Sequence, residues 1–235
     1  MNLQRVTRST APPLDDIENQ FHSCDRCGMA DVWRLVPLAG VLVFFGLGIG
    51  LRAWLHARRH GSSGIVLFRG NAPSERLLGA VGVVVPAALL AQATVAAIAP
   101  DLARGAFPAS CAPVFRPLGA ALLFGGSLLM FIAQLHLGAS WRVGLEHERP
   151  GELVTSGLYR YSRNPIYVFM FVAFAGFAVL LPTWPLLVIL AGGAIGWRRW
   201  VVRVEEAHLL ATYGDAYRAY AARVGRFLPG VGRLR

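Results

Sequence analysis

Between Gly157 and Tyr167 the chain sets Tyr159, Arg160, Tyr161, Arg163, Asn164, Pro165 and Tyr167 directly before an apolar run. Two adjacent acids, Glu205 and Glu206, follow on the far side of that run. Aromatic and polar groups packed this densely beside a membrane-like segment suit ligand binding at the water boundary. A carboxylate facing such a pocket can hold an ammonium or a ribose hydroxyl. Adjacent residues on a helix point about 100° apart, so at most one of the two acids faces a given pocket. A simpler reading gives each piece a structural task. Asn164 is then an N-cap with Pro165 in the first turn, the tyrosines are interfacial anchors, and the acids pair with Arg199 and Arg203.

The elements that position these groups are apolar runs. Hydrophobic residues make up 55% of the 235, and charged residues only 15%, against about 25% in soluble domains. The runs are Val36–Leu55, Leu77–Ala99 with Pro86 inside, Pro117–Leu137, Ile166–Leu181 and Leu186–Val202. A span needs about 20 residues to cross about 30 Å of hydrocarbon. The first three fit, and the last two are short arms of a hairpin broken at Pro182–Pro185. The expected fold is all-α: an integral membrane protein with about five transmembrane helices, the last two a short helical hairpin, and a cytoplasmic C-terminal helical segment. Residues 1–35 read as a polar N-terminal tail without the apolar stretch of a cleavable signal. Residues 36–137 read as three spans. Residues 138–235 hold the site, with the hairpin at 166–202. Over Val204–Val224, Leu209, Leu210 and Tyr213 make one apolar edge, and Tyr217, Tyr220 and Val224 continue it after a break at Gly214, where Asp215 can begin a second helix.

The net charge is +10, and all 23 basic residues are arginine. They cluster beside the apolar runs, which fits contact with anionic head groups and topology control rather than nucleic acid. A C-terminus inside leaves seventeen arginines in the inner segments and six in the outer ones. That asymmetry favours N-out, C-in and brings the Gly157–Tyr167 stretch and Glu205-Glu206 to the same cytoplasmic side. The arginine-only composition fits a GC-rich genome and a bacterial inner membrane. Arg52, near the end of the first span, is expected to snorkel to the interface. His136 and Ser140-Trp141-Arg142 read as the anchored end of the third span, with Arg142 also within reach of the pocket. Cys24-x-x-Cys27 with His22 lacks the second half of a four-ligand zinc site, so no metal is expected. Gly46-x-Gly48-x-Gly50 lies inside the first span, where helix packing explains it better than a dinucleotide loop.

Taken in order, Leu153 to Tyr159, Arg163-Asn164-Pro165-Ile166-Tyr167, Glu205-Glu206, Tyr213-Gly214-Asp215-Ala216-Tyr217 and Arg226-Phe227-Leu228-Pro229 resemble the isoprenylcysteine carboxyl methyltransferase family and the related phospholipid methyltransferases. The resemblance covers about residues 117–229. It implies a membrane methyltransferase using S-adenosylmethionine on a lipophilic acceptor: an isoprenylcysteine-like carboxylate, a phospholipid amine or another small lipophile. It also implies contact with membrane lipids; the oligomeric state is left open. Leu153, Val154, Tyr159, Asn164, Pro165, Ile166 and Tyr167 match positions lining the family's cofactor pocket, and Glu205 matches a cofactor-binding acid. Two positions depart: Asn164 stands where the family usually has His, and Val201 where it often has a substrate-holding Arg. Arg199 and Arg203 are then the candidates to orient a substrate carboxylate. Two alternatives stand beside this reading. A membrane reductase of the sterol-reductase type shares a similar C-terminal pattern and would need arginines such as Arg160, Arg163, Arg198 and Arg199 for the NADPH 2′-phosphate. A non-enzymatic multi-span membrane protein would bind no cofactor at all.

Overall fold

A computed structural model describes residues 32–66, 73–99, 102, 115–143 and 151–234. Within them the chain is all-α, with no strand and two isolated bridges, Ile65 to Val143 and Ser162 to Gly225. The elements are α1 (Val32–His60), α2 (Pro73–Ile98), α3 (Phe115–His136), α4 (Pro165–Leu180), α5 (Trp184–Trp200) and α6 (Glu206–Arg223). Short 3₁₀ turns occupy Gly138–Ser140 and Gly157–Arg160. Cys24, Cys27, His22 and most of the N-terminal tail lie outside the described residues.

Three helices, α1, α2 and α3, are long and apolar enough to cross a membrane. The arms α4 and α5 have 16 and 17 residues and are joined through Leu181 and Thr183, where Pro182 prevents the helix from continuing. This is the all-α membrane architecture with a short terminal hairpin that the sequence predicts. The outward faces keep large apolar side chains exposed, among them Leu42, Val84, Val188 and Ile195, as suits a lipid environment. Pro86 sits inside α2 without ending it. The first helix extends beyond the expected run and carries a π-helical turn over Gly46–Leu51.

The hairpin arms are less intimate than the short connection suggests. α4 packs chiefly along α3, and only sparsely along α5. The reason is the small residues on the α3–α4 seam. A Cβ on Gly126 would lie 2.6 Å from the Ala173 nitrogen. A Cβ on Gly176 would lie 2.6 Å from the Gly119 carbonyl oxygen. Close backbone approach of this kind is the main source of helix association where lipid removes the hydrophobic drive. Ala173, Phe177, Leu123 and Met130 fill the same core, joined by Val41 and Phe44 from α1 and Leu89 from α2.

Arg52 does not snorkel outward. It is buried, its Nη2 donates to the Gly138 carbonyl at 2.7 Å and its Nε to the Gln134 carbonyl at 3.3 Å, with its guanidinium 4.6 Å from the Trp141 ring. A cation here satisfies the last carbonyls of α3 and complements its dipole. Trp141 is likewise buried rather than interfacial.

α5 runs into α6 through a π-helical turn, Val201–Glu205. The extra residue of such a turn rotates everything after it by about 100° relative to an unbroken α-helix. α6 breaks at Gly214, with φ 51° and ψ −123°, a left-handed φ that glycine adopts without steric cost. The break falls where the sequence places it. Leu209, Leu210, Tyr213, Tyr217, Tyr220 and Val224 then share one cluster with Leu153 and Leu234.

Candidate functional site

A cavity of about 800 Å³ reaches from the apolar faces of α1, α2, α4 and α5 to the polar segment around Tyr159 and Glu205. Its apolar arm is walled by Phe44, Ile49, Val81, Val85, Met170, Phe171 and Phe174. Gly192, Gly193 and Gly196 of α5 add bare backbone to the same wall. A Cβ built on Gly192 or Gly196 meets no atom within 4 Å, so these glycines leave open volume. The sparse contact between α4 and α5 leaves room for this arm.

At the polar end, the 3₁₀ turn Gly157–Arg160 is fixed from both sides. Gly157 has φ 60°, and a Cβ there would lie 2.8 Å from the His136 Nδ1. Leu158 N–H donates to that nitrogen at 3.4 Å. From the other side Tyr220 Oη donates to the Tyr159 carbonyl at 2.7 Å, and Tyr213 Oη donates to the Gly151 carbonyl. The turn therefore holds Tyr159 buried in the cavity wall. The C-terminal residues after α6 close over it: Arg163 N–H donates to the Gly225 carbonyl at 2.9 Å and Arg226 N–H to the Val231 carbonyl at 2.8 Å.

The two adjacent acids separate as helical geometry requires. Glu205 lines the cavity and accepts a hydrogen bond from Tyr167 Oη at 3.0 Å. The Tyr167 ring packs edge-on against Trp197, with centroids 5.1 Å apart. Glu205 has no cationic partner among the described residues. Glu206 is 4% exposed and lies between two guanidinium groups. Arg163 Nη1 is 2.8 Å from its Oε1, and Arg226 grips it bidentately at 2.9 and 2.8 Å. The partners of the acid pair are thus Arg163 and Arg226 rather than Arg199 and Arg203. Arg163 also donates to Tyr217 Oη at 3.2 Å and to the Gly232 carbonyl at 2.6 Å. It is an internal tie, not a head-group anchor.

These surroundings set the titration behaviour. Burial pushes the Glu205 carboxyl up to about 7; the Tyr167 hydrogen bond works against the shift and the nearby Glu206 charge adds to it. Burial also raises Tyr159, with the Glu205 charge adding. Tyr217 is pushed up to about 12 by burial, against the pull of the Arg163 cation.

Of the sequence-derived candidates, Leu153, Val154, Tyr159, Asn164, Ile166, Tyr167 and Glu205 come together around this one cavity. Pro165 is buried at the start of α4 but is not part of the wall. Asn164 occupies the N-cap position of α4 but makes no capping bond with its side chain. Its Nδ2 donates to the Arg226 carbonyl at 3.0 Å, so it ties α4 to the C-terminal segment. Arg199 and Arg203 are exposed and line a separate, smaller pocket with Arg198, Val202 and Arg226. The arginines in the main cavity wall are Arg142 and Arg163. Val201 is fully buried in the π-helical turn. Sequence reasoning missed the Arg163–Glu206–Arg226 triad and the contribution of α1 and α2 to the wall. The first links Glu206 to arginines 43 and 20 positions away in the chain, which no local pattern pairs. The second carries no local signal.

Residues 114–216 match the family model for phospholipid methyltransferase. A protein-S-isoprenylcysteine O-methyltransferase of Dictyostelium discoideum is 27% identical over 121 residues, covering 48% of this chain and 49% of the relative. A protein of the same name from Schizosaccharomyces pombe is 28% identical over 120 residues, covering 49% and 50%. The resemblance read from the motifs is therefore borne out over one half of the chain. The chain spans about half the length of the curated relatives it matches.

Proposed function

We propose that this protein transfers a methyl group from S-adenosylmethionine to a lipophilic acceptor within the membrane. One observation carries the reading: Glu205, with no cationic partner among the described residues, faces a cavity that is polar at its own end and apolar along α1, α2 and the hairpin. The residues present fit the cofactor. A carboxylate suits an ammonium or ribose hydroxyls, and the rings of Tyr159, Tyr167 and Trp197 in the same wall suit an adjoining cation. The cofactor supplies an activated methyl on a sulfonium.

The chain's own task is placement. Glu205 holds the cofactor end, oriented by Tyr167. Tyr159, Asn164, Ile166, Leu153 and Val154 complete that wall. The apolar arm receives the acceptor's hydrocarbon and keeps water from the reacting atoms, which is where in-line transfer gains most of its rate. A carboxylate, thiolate or neutral amine needs no general base for this step. Arg142 lies in the wall beside Trp141; Arg199 and Arg203 are not in that wall. The match of residues 114–216 to the phospholipid methyltransferase family model and the two similar O-methyltransferases support the class. We assign residues 138–235 to the cofactor end and α1 and α2 to the acceptor side. The arginine asymmetry favours a cytoplasmic C-terminus.

Of the four arginines that a 2′-phosphate site would need, only Arg163 lines the cavity, and it is committed to Glu206. The reductase reading is accordingly the weaker one. The test is transfer of labelled methyl from S-adenosylmethionine into organic-extractable product by the purified protein, given an S-farnesylated thiol acid or phosphatidylethanolamine. Label in the organic phase that disappears in Glu205→Ala supports the proposal. No label with either acceptor, from protein that binds the cofactor, would move the acceptor elsewhere; no cofactor binding would remove the proposal.

A further inference from the structure

A second concavity, of about 270 Å³, lies at the C-terminal end of α5, lined by Arg198 and Arg199 of its last turn and by Val202, Arg203 and Arg226. Four of its five wall residues are cations. Arg198, Arg199 and Arg203 are exposed and have no carboxylate partner among the described residues. Arg226 is held in place by its bidentate bond to Glu206. That acid is shared with Arg163, so it does not neutralise the pocket. Guanidinium groups gathered without an intervening acid repel one another, and an anion between them removes that cost. Their planar forks match phosphate oxygens in pairs.

Position points the same way. The arginines follow directly on the apolar run of α5, at the depth where hydrocarbon gives way to head groups. Basic pockets beside membrane helices at this level recognise anionic lipid head groups. Val202 supplies one apolar contact on the rim.

We propose that this pocket is a phosphate-binding site, distinct from the large cavity and independent of the methyl-transfer reading. Its ligand is a phosphate group, presented either by an anionic phospholipid or in solution. Arg199 and Arg203 then serve phosphate binding, not orientation of a methyl acceptor.

The full-length protein in neutral detergent is titrated with phosphatidylglycerol and with phosphatidylcholine, and bound lipid is counted by native mass spectrometry. The site predicts one phosphatidylglycerol held at least tenfold more tightly than phosphatidylcholine. Arg199→Gln/Arg203→Gln brings the two lipids to within about twofold. Arg58→Gln/Arg59→Gln removes the same charge from the exposed end of α1 and keeps the preference. In a second arm, inorganic phosphate is compared with chloride at equal ionic strength. A phosphate-specific rise in Tm, lost in Arg199→Gln/Arg203→Gln, would assign the soluble source. These arginines are exposed, so the variants fold, and circular dichroism verifies it. Equal loss in both double variants would mean diffuse surface charge and overturn the site. So would the absence of both a phosphatidylglycerol preference and a phosphate-specific shift.

Discussion

Tyr167 Oη donates to Glu205 Oε2 at 3.0 Å, joining the first turn of α4 to the end of the π-helical turn after α5. The bond crosses 38 residues of chain and fixes the member of the adjacent acid pair that faces the cavity. It also sets how that acid responds to its surroundings.

The carboxyl of Glu205 is raised to about 7, so it is largely protonated under mildly acidic conditions. A cationic ligand favours the carboxylate. Affinity for S-adenosylmethionine should therefore rise with pH up to about 7 and level off above it, with the slope below 7 approaching tenfold per unit. Without ligand, the folded protein keeps this proton between the ordinary carboxyl range near 4.5 and about 7, while the unfolded chain has released it. This group's contribution to stability consequently falls as pH rises through that window. Calorimetric titrations from pH 5.5 to 8.5 should show the affinity slope in the wild type and a flat profile in Glu205→Gln.

Glu206→Gln should be severe for a different reason. It leaves Arg163 and Arg226 facing each other without their shared anion in a site that is 4% exposed at the acid. Breaking a buried pair costs about 3–5 kcal/mol, and the C-terminal segment should loosen first. The expected readout is a large drop in Tm together with early proteolytic cleavage after Arg223. A variant with unchanged Tm would show that the triad is not holding the segment.

On the α3–α4 seam, Gly176→Ala would place a methyl 2.6 Å from the Gly119 carbonyl oxygen. Overpacking of this kind costs about 1–3 kcal/mol. Gly125→Ala, one position from the seam glycine Gly126, meets nothing within 4 Å. It should be neutral or stabilising through helix propensity. Thermal denaturation of the two variants side by side checks the packing, since both are helix-interior glycines and a Cβ meets close neighbours at Gly176 alone of the two.

Gly192→Phe should occupy volume in the apolar arm without meeting protein atoms at its Cβ. The expected signature is an acceptor KM raised tenfold or more, with the dissociation constant of S-adenosylmethionine changed by less than about twofold. Steady-state kinetics beside calorimetry separates the two. Equal loss of both ligands would mean that the arm and the polar end are not separate subsites.

The spans were legible in the sequence because hydrocarbon thickness imposes a minimum apolar length, and the five runs meet or approach it. The break at Gly214 and the edge formed by Leu209, Leu210, Tyr213, Tyr217, Tyr220 and Val224 were legible from periodicity. The gathering of Leu153, Tyr159, Asn164, Tyr167 and Glu205 was legible as a pattern of ordered motifs. Pairing across the fold was not. Nothing local says that Arg163 and Arg226, 63 positions apart in the numbering, share Glu206. The inward turn of Arg52 was equally hidden, because a cation at a span end suits both the head groups and a neighbouring helix terminus. The π-helical turn Val201–Glu205 decides which acid faces the cavity, and a hydrophobic pattern does not register one inserted residue.

The most direct test is calorimetric titration of S-adenosylmethionine, with NADPH in parallel, into the detergent-purified protein and into Glu205→Ala and Tyr167→Phe. Binding of S-adenosylmethionine alone is expected, abolished in Glu205→Ala. Tyr167→Phe should weaken it about tenfold, as expected for loss of a hydrogen bond to a charged group. Binding of NADPH in place of S-adenosylmethionine, or S-adenosylmethionine affinity unchanged in Glu205→Ala, would contradict the methyl-transfer reading.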